Sequence, residues 1–188
     1  LLEEDFADLH RAGWRPYAND TLLRPSPEGL RIVAPAHQAA GLENGVPEGA
    51  RLFTCEVAQE SDQGMTWGPG MALLWSTGET IKVNLRADGQ YQVEVNGNEH
   101  LVGTLVPQHG HRLLINLGDK TIRITAEDLT AANGAQHLLD LPRQGFDGPA
   151  KTVRVGKTGH GAGSRNYESP GPAGTCTVRA LRIYAADE

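Results

Sequence analysis

The sequence predicts an all-β fold in which antiparallel strands form a sandwich or barrel. Short segments alternate apolar and polar residues with the period of two that half-buried strands show, and they recur at intervals of about 8–12 residues. Turn-forming residues lie between these segments, among them many of the chain's 23 glycines and 11 prolines. These glycines and prolines are spread along the chain and do not gather into a linker, so we predict one domain spanning residues 1–188.

The segment 80–86 shows the alternation most clearly, with Ile81, Val83 and Leu85 on one face. Asp88-Gly89 predicts a tight hairpin into the next strand, and Asn96-Gly97 closes that strand in the same way. Gly118 begins a further hairpin signal. The predicted strands are 30–33, 51–59, 71–75, 80–86, 91–95, 111–117, 121–125, 152–156 and 175–184.

Helical signals are weak. Residues 1–10 have room for one helical turn. The stretch 126–139 is interrupted by Asn133-Gly134, so we predict a loop there with at most a short helix.

The composition argues against some classes of function. The 188 residues (20.2 kDa) carry a net charge of −6, which argues against a nucleic-acid partner because few cations are available to neutralise phosphates. No apolar run approaches the roughly 18 residues of a membrane span. The chain begins at Leu1 instead of Met, which suggests a removed signal peptide or a piece of a larger protein with other domains as partners. We therefore expect a secreted, periplasmic or extracellular protein.

The order of elements resembles a known family. The segments that show the resemblance are Asp5-Phe6, Gly13-Trp14, 27–32, 66–75, 153–157 and 178–184. Together they resemble the concanavalin A-like, laminin-G-like jelly rolls of bacterial extracellular proteins. The resemblance implies a two-sheet antiparallel jelly-roll sandwich with one concave sheet. Members of this family include lectins, carbohydrate-binding modules, glycoside hydrolases and polysaccharide lyases, so the fold alone does not assign a function.

Two enzymatic signatures of the family do not stand in this sequence. Retaining glucanases of this fold place their acids in a Glu-x-Asp-x-x-Glu run on one strand, whereas Glu56 and Glu94 each stand alone on theirs. The Gln-x-His of the lyases is also missing, since Gln108-His109 lacks the spacing. The sequence therefore favours binding over catalysis.

Several side chains could contact a glycan through hydrogen bonds or aromatic stacking. Some lie on the predicted outward side of the strands, together with Lys82, Gln92 and Arg123. A sheet face that is only solvated would show the same pattern of polar residues. Others lie in the loop 157–174, which has no apolar periodicity and could equally be a plain surface loop. The candidate ligand-binding residues are Trp67, Asn84, Arg86, Glu94, Arg112, Asn116, His160, Arg165 and Tyr167.

The tryptophans have competing interpretations. Trp75 shares a face with Met71 and Leu73, so we expect it in the core. We expect Trp14, close to the N-terminus, to anchor the start of the chain by packing. Trp67, in a turn rich in glycine and proline, either contacts a ligand or anchors that turn.

Metal binding has two candidate sites. His109 and His111 are two residues apart and would share a strand face, but they match no zinc motif. A structural calcium ion is more natural for this fold, and Asp5 and Asp187 are its candidate ligands because terminal strands of such sandwiches usually pair. Solvated terminal acids are the alternative.

Cys55 and Cys176 lie on strands that the resemblance implies are often neighbours. They either form a disulfide or serve as two buried thiols.

Taken together, the sequence predicts a non-catalytic, lectin-like domain that binds a polysaccharide or glycan in a groove on the concave sheet. The first alternative is a glycoside hydrolase or polysaccharide lyase on the same scaffold, using Glu56, Glu94 or His160. The second is a laminin-G-type protein-interaction domain.

Overall fold

The computed structural model describes residues 1–9, 13–18, 22–35, 38–61, 68–158 and 173–185. Two antiparallel sheets stack face to face, so the predicted all-β sandwich is confirmed. Sheet A contains β1 (Leu2–Glu4), β3 (Leu23–Ser26), β4 (Gly29–Pro35), β6 (Ala50–Ser61), β11 (Gly110–Leu117), β12 (Thr121–Asp128), β13 (Ala135–Pro142) and β15 (Ala173–Ala185). Sheet B contains β2 (Arg15–Ala18), β5 (Ala40–Gly45), β7 (Gly70–Leu74), β8 (Thr80–Leu85), β9 (Tyr91–Val95), β10 (Asn98–Val102) and β14 (Thr152–Lys157).

The strand order shows long crossovers between the sheets. Sheet A runs β13-β12-β11-β6-β15-β4-β3, and β1 pairs with the far half of β15. Sheet B runs β10-β9-β8-β7-β14-β5-β2. In the described part of the chain, no helix is long and apolar enough to cross a membrane.

The turn residues explain the hairpins. Asn96 and Gly97 both have positive φ, 50° and 84°, the geometry that a two-residue turn between twisted strands requires. This turn joins β9 to β10 in the register that Asn96-Gly97 predicts. Asp88-Gly89 lies in the turn between β8 and β9, and Gly118 begins the one between β11 and β12.

The prediction of a loop or short helix across 126–139 is wrong. Asn133-Gly134 belongs to the hairpin between β12 and β13, with Asn133 at φ 62°. A Cβ at Gly134 would come within 2.4 Å of the Asp128 carbonyl oxygen, so only glycine fits this close approach. The N-terminal segment also differs from the predicted helical turn, because it forms β1 against β15.

The core lies between the sheets and is built from alternate residues. Ile81, Val83 and Leu85 of sheet B face inward, as predicted, and Phe53 and Ile115 are among their counterparts in sheet A. Trp75 is buried in the core and meets Phe146 edge to face at 5.1 Å, as expected. Trp14 is buried too, at 5.3 Å from Phe6, and its Nε1 donates to Glu4.

Cys55 and Cys176 are both buried and both free. They lie on neighbouring strands, β6 and β15, but Cys55 pairs with Leu181 whereas Cys176 pairs with Gln59. This offset of four residues separates them by about 13 Å along the strands, well beyond disulfide reach. Both thiols act as small apolar core residues.

A buried Tyr–His contact joins the two sheets. The Tyr91 hydroxyl of β9 lies 2.9 Å from Nδ1 of His111 on β11, and Nε2 of His111 lies 2.8 Å from the Val106 carbonyl oxygen. Because a carbonyl can only accept, Nε2 donates to it and Nδ1 accepts from the tyrosine. Burial lowers the pKa of His111 and raises that of Tyr91 to about 12, so both stay neutral at physiological pH.

We expect Tyr91→Phe to lower the free energy of unfolding by about 1–3 kcal/mol, because it leaves the buried Nδ1 of His111 without a donor. Urea denaturation measures the change. Tyr184→Phe is the matched control; its hydroxyl is on an exposed ring, so it should move stability by no more than about 0.5 kcal/mol. Equal effects of the two substitutions would contradict this assignment.

Stability should also fall as the pH drops from 7 to 5. The folded protein resists protonation of His111, whereas the unfolded chain takes up that proton near the ordinary pKa of about 6.5. The loss approaches at most about 1.4 kcal/mol per pH unit below 6.5. The free energy of unfolding should depend less on pH over this range in His111→Gln. In His137→Gln, whose side chain is exposed, the pH dependence should match that of the wild type. A wild-type stability that does not change over this range would contradict the assignment.

Candidate functional site

The outward side of sheet B, which we call the sheet-B face, is unusual because its polar side chains are buried. Alternation turns these residues away from the core, yet they have almost no exposed surface. They therefore lie below the molecular surface, and buried titratable groups with charged partners are frequent at functional sites. The buried polar residues on this face are Lys82, Asn84, Gln92 and Glu94.

Two carboxylates face each other across β9 and β10. Glu94 pairs directly with Glu99 in the antiparallel register, so their side chains leave the sheet on the same side. Glu94 is 1% exposed, whereas Glu99 is exposed at the edge of the face. Nε2 of Gln92, two residues before Glu94 on β9, donates to Oε1 of Glu99 at 2.8 Å and so fixes the position of the outer carboxylate.

The positive charge of Lys82 compensates the negative charge of the buried Glu94 carboxylate. Its Nζ lies 3.6 Å from Oε2 of Glu94, and both side chains are almost completely buried. Burial lowers the pKa of Lys82, while the negative charges of Glu94 and Glu99 act against that shift. The ammonium and the two carboxylates form one coupled cluster, which we call the Lys82 cluster.

Asn84 lies beside this cluster on β8. Its Nδ2 donates to the Leu85 carbonyl oxygen at 2.8 Å and contacts Oε1 of Gln92 at 3.4 Å. Among the described residues its buried Oδ1 has no hydrogen-bond partner. A buried acceptor without a donor is costly, and a ligand hydroxyl would satisfy it.

The other end of the sheet-B face holds a second polar group. Glu43 of β5 accepts from Nε of Arg154 and from Nε of Arg15, both at 3.0 Å. The Arg154 guanidinium lies over the ring of Tyr17 at 4.6 Å, and burial raises the pKa of that tyrosine. This arginine–glutamate group offers charged donors and an acceptor of the kind that binds sugar hydroxyls.

Small residues separate the two ends. Apart from Arg154 and Glu43, the outward positions of the middle strands are small: Gly70 and Ala72 on β7, Gly156 on β14 and Gly41 on β5. At Gly41 a Cβ would approach the Tyr17 hydroxyl oxygen to 2.7 Å, so a side chain there would displace the tyrosine. These small residues are themselves buried, like the polar residues beside them.

The predicted ligand residues do not all share this face. Asn84 and Glu94 lie on it, and Arg86 lies in the following turn, where its Nη2 pairs with Asp88 at 2.6 Å. Arg112, Asn116 and Arg123 belong to sheet A, so the expectation that they line the same side as Lys82 is wrong. Alternation shows which way a side chain points but not which sheet its strand joins. Four further candidates lie outside the described residues: Trp67, His160, Arg165 and Tyr167.

Glu56 belongs to an ion-pair network on the outward side of sheet A. Its Oε1 accepts from Arg112 at 2.9 Å and from Arg182 at 3.0 Å. Partial burial of Glu56 acts to raise its pKa, but the hydrogen bonds from the two arginines outweigh it and lower the pKa. A carboxyl held ionised in this way is poorly suited to donate a proton.

The two predicted metal sites have different outcomes in the structure. Both ring nitrogens of His111 are already engaged, and Nδ1 of His109 is hydrogen-bonded to Asp128 at 2.8 Å, so this pair is not arranged to bind a metal. Across the described ranges, no group of three or more His, Cys, Asp or Glu side chains could hold a metal ion. Asp5 is exposed, its Oδ1 accepting from the Ala7 amide at 3.0 Å, and Asp187 lies outside the described residues. The calcium site stays a prediction.

Glu99 was missed in the sequence, although a signal for it is present. A two-residue turn at Asn96-Gly97 pairs Val95 with Asn98, and the next pair outward is then Glu94 with Glu99. The turn signal and the two glutamates are therefore sufficient to predict the carboxylate pair.

Several solved structures with similar folds are named as carbohydrate-active enzymes. The chain matches the laminarinase catalytic domain from Thermotoga maritima MSB8 with a TM-score of 0.69 and 12% identity, over 100% of this chain and 98% of that one. It matches the Crh5 transglycosylase with a TM-score of 0.67 and 16% identity, over 99% and 84%. A lichenase from a mouse hindgut metagenome gives 0.64 and 8%, over 97% of both chains. No protein-family model matches the chain, and no curated protein does.

These matches confirm the concanavalin A-like jelly-roll fold. They contradict the expectation of a non-catalytic, lectin-like domain, because the neighbours are hydrolases and a transglycosylase. They favour the alternative of an enzyme on the same scaffold, for which a glycoside hydrolase fits. At identities of 8–16% the likeness itself shows the fold alone.

Lys82→Met should destabilise the fold by about 3–5 kcal/mol, because it leaves the buried Glu94 without its ammonium partner. The double variant Lys82→Met/Glu94→Leu should regain most of this loss, which urea denaturation measures. Arg86→Met breaks a partly exposed pair of the same charge type and should cost at most about 1 kcal/mol. Additive losses in the double variant would show that Lys82 and Glu94 are not coupled.

Proposed function

We propose that the chain is a glycoside hydrolase that acts on a glycan or polysaccharide bound across the sheet-B face. The observation that carries the proposal is the Glu94–Glu99 pair, two directly opposed glutamates on a recessed polar face. Directly opposed residues have Cβ atoms about 4.5–5.5 Å apart, a spacing that lets the carboxyl groups reach the roughly 5–5.5 Å used by retaining glycosidases.

The environments of the two glutamates suggest different roles. Glu94 is buried next to the Lys82 ammonium, which compensates a carboxylate charge, so we assign it as the nucleophile. Glu99 is exposed and can exchange protons with solvent, so we assign it as the acid and base. Glu99 would protonate the leaving oxygen while Glu94 bonds to the anomeric carbon. Glu99 would then take a proton from the water that breaks the resulting ester.

Other residues of the face would bind the sugar. The unsatisfied Oδ1 of Asn84 would accept a hydrogen bond from a sugar hydroxyl close to the Lys82 cluster. Arg154 and Glu43 would bind hydroxyls at the other end of the sheet-B face. A substrate spanning both ends covers several strands, which suits a chain of sugars better than a single sugar.

Catalysis requires that the sheet-B face open to admit a sugar ring, because Glu94 is only 1% exposed. Burial of Glu94 has a chemical benefit once substrate is bound, since charges act more strongly on a reacting centre from which water is excluded. We therefore expect binding to be slower than diffusion allows.

The substrates named for structural neighbours suggest the first ones to assay. Laminarinase and lichenase activities make soluble β-1,3-glucan and β-1,3-1,4-glucan the first choices, and mucin O-glycans follow from a neighbour described with endo-acting O-glycanases. A secreted or periplasmic location agrees with such substrates and remains part of the proposal.

Glu99→Gln tests the proposal without disturbing the core, because the side chain is exposed. We expect kcat to fall by at least about 10²-fold, the lower end of the usual contribution of a general acid, and KM to change little. Reducing-end release from the two glucans is the assay, supported by Glu94→Gln with folding checked by circular dichroism.

Glu79→Gln is the matched control, since Glu79 lies in a turn of the same sheet away from the Glu94–Glu99 pair. It should keep full activity. Wild-type protein that binds glycan but releases no new ends would contradict the proposal, and so would full activity in Glu99→Gln.

A further inference from the structure

A pocket lies on the side of the sandwich opposite the sheet-B face, on the outward face of sheet A. It has a volume of about 440 Å³, within the range of small-molecule sites. Its lining consists of Arg51, Leu52, Asn116, Leu117, Gly118, Asp119, Tyr184 and Ala185. None of these residues takes part in the sheet-B face or in the ion pairs around Glu56.

Strand register places an aromatic ring and an amide in one row. Tyr184 of β15 pairs with Leu52 of β6, and Leu52 pairs with Asn116 of β11. Neighbouring strands are about 4.8 Å apart, so the backbones of Tyr184 and Asn116 are about 10 Å apart with an apolar residue between them. This row provides a floor for a flat, partly apolar ligand.

The two ends of the row are open for binding. Tyr184 is 44% exposed although its ring is large and apolar, and Asn116 is exposed beside it. In the part of the chain described here, neither the tyrosine hydroxyl nor the Asn116 amide has a hydrogen-bond partner within the protein. An exposed aromatic ring next to a free amide is the combination that stacks on a sugar ring and bonds its hydroxyls.

The charges of the pocket are balanced. Nη1 of Arg51 lies 2.5 Å from Oδ1 of Asp119, and the same nitrogen donates to the Leu117 carbonyl oxygen at 3.3 Å. The hydrogen bond from Arg51 lowers the pKa of Asp119, which keeps the pair ionised and its net charge at zero. A pocket without excess charge favours a neutral ligand over a sulfated or uronic-acid sugar.

We propose that this sheet-A pocket is a second glycan-binding site that holds a segment of neutral β-glucan by stacking on Tyr184 and hydrogen bonding to Asn116. The identity of the glucan rests on the proposed function of the sheet-B face. The site would hold a long chain while the opposite face cleaves it, so its contribution depends on polymer length.

Affinity electrophoresis in gels containing soluble β-1,3-glucan or β-1,3-1,4-glucan tests the site, with Glu99→Gln as the background so that the polymer stays intact. Tyr184→Ala should weaken retention by about tenfold or more, and Asn116→Ala should weaken it less. Tyr184→Phe keeps the ring and should retain most of the binding. Leu129→Ala removes another exposed apolar side chain outside the pocket and should change nothing.

Activity measurements distinguish a failure of this second site from a failure of the proposed function. Tyr184→Ala with Glu99 intact should cleave short oligosaccharides at the wild-type rate and long polymer more slowly. Cleavage in the wild type together with unchanged retention in Tyr184→Ala would overturn the second site and leave the proposed function standing. Retention lost in Tyr184→Ala with no cleavage by the wild type would support the site and overturn the proposed function. Absence of retention of either glucan would overturn the site.

Discussion

The alternation of side chains along each strand is the constraint on which the rest of the structure depends. Every central strand must turn one set of residues toward the apolar layer, as Ile81, Val83 and Leu85 do, and the intervening residues are then forced outward. A slip of one residue in β8 would turn Lys82 and Asn84 into the apolar core and place the three apolar side chains among the buried polar groups of the sheet-B face. The cost of that exchange fixes the register, and the register in turn fixes which polar groups meet on the sheet-B face.

The two outward faces use polar groups in different ways. On sheet A, Glu56, Arg112 and Arg182 form ion pairs at a partly exposed surface, where such pairs contribute little and are screened by salt. On sheet B, Lys82 and Glu94 are removed from water, so breaking either partner is expensive. A fold gains little stability from a buried charged pair compared with apolar packing. Under the proposed function, the pair provides the carboxylate that the chemistry on the sheet-B face needs.

Much of the fold could be predicted from the sequence because the signals are local. The period of two, the turn at Asn96-Gly97 and the apolar face of β8 depend only on neighbouring residues. Sheet membership could not be predicted, since Arg112 and Asn116 alternate in the same way as Lys82 but their strand joins the other sheet. The burial of Glu94 is likewise a property of tertiary packing. The pairing of Glu94 with Glu99 is an intermediate case, because the turn signal determines it once both residues are considered.

Covalent trapping tests most directly whether Glu94 acts as the proposed nucleophile on the anomeric carbon. The protein would be incubated with a 2-deoxy-2-fluoro glycosyl fluoride of the sugar it cleaves, then digested and mapped by tandem mass spectrometry. If Glu94 is the nucleophile, the protein will carry one added glycosyl group, attached as an ester to Glu94. An adduct on another carboxylate, or continued hydrolysis of the natural substrate with no adduct at all, would contradict it.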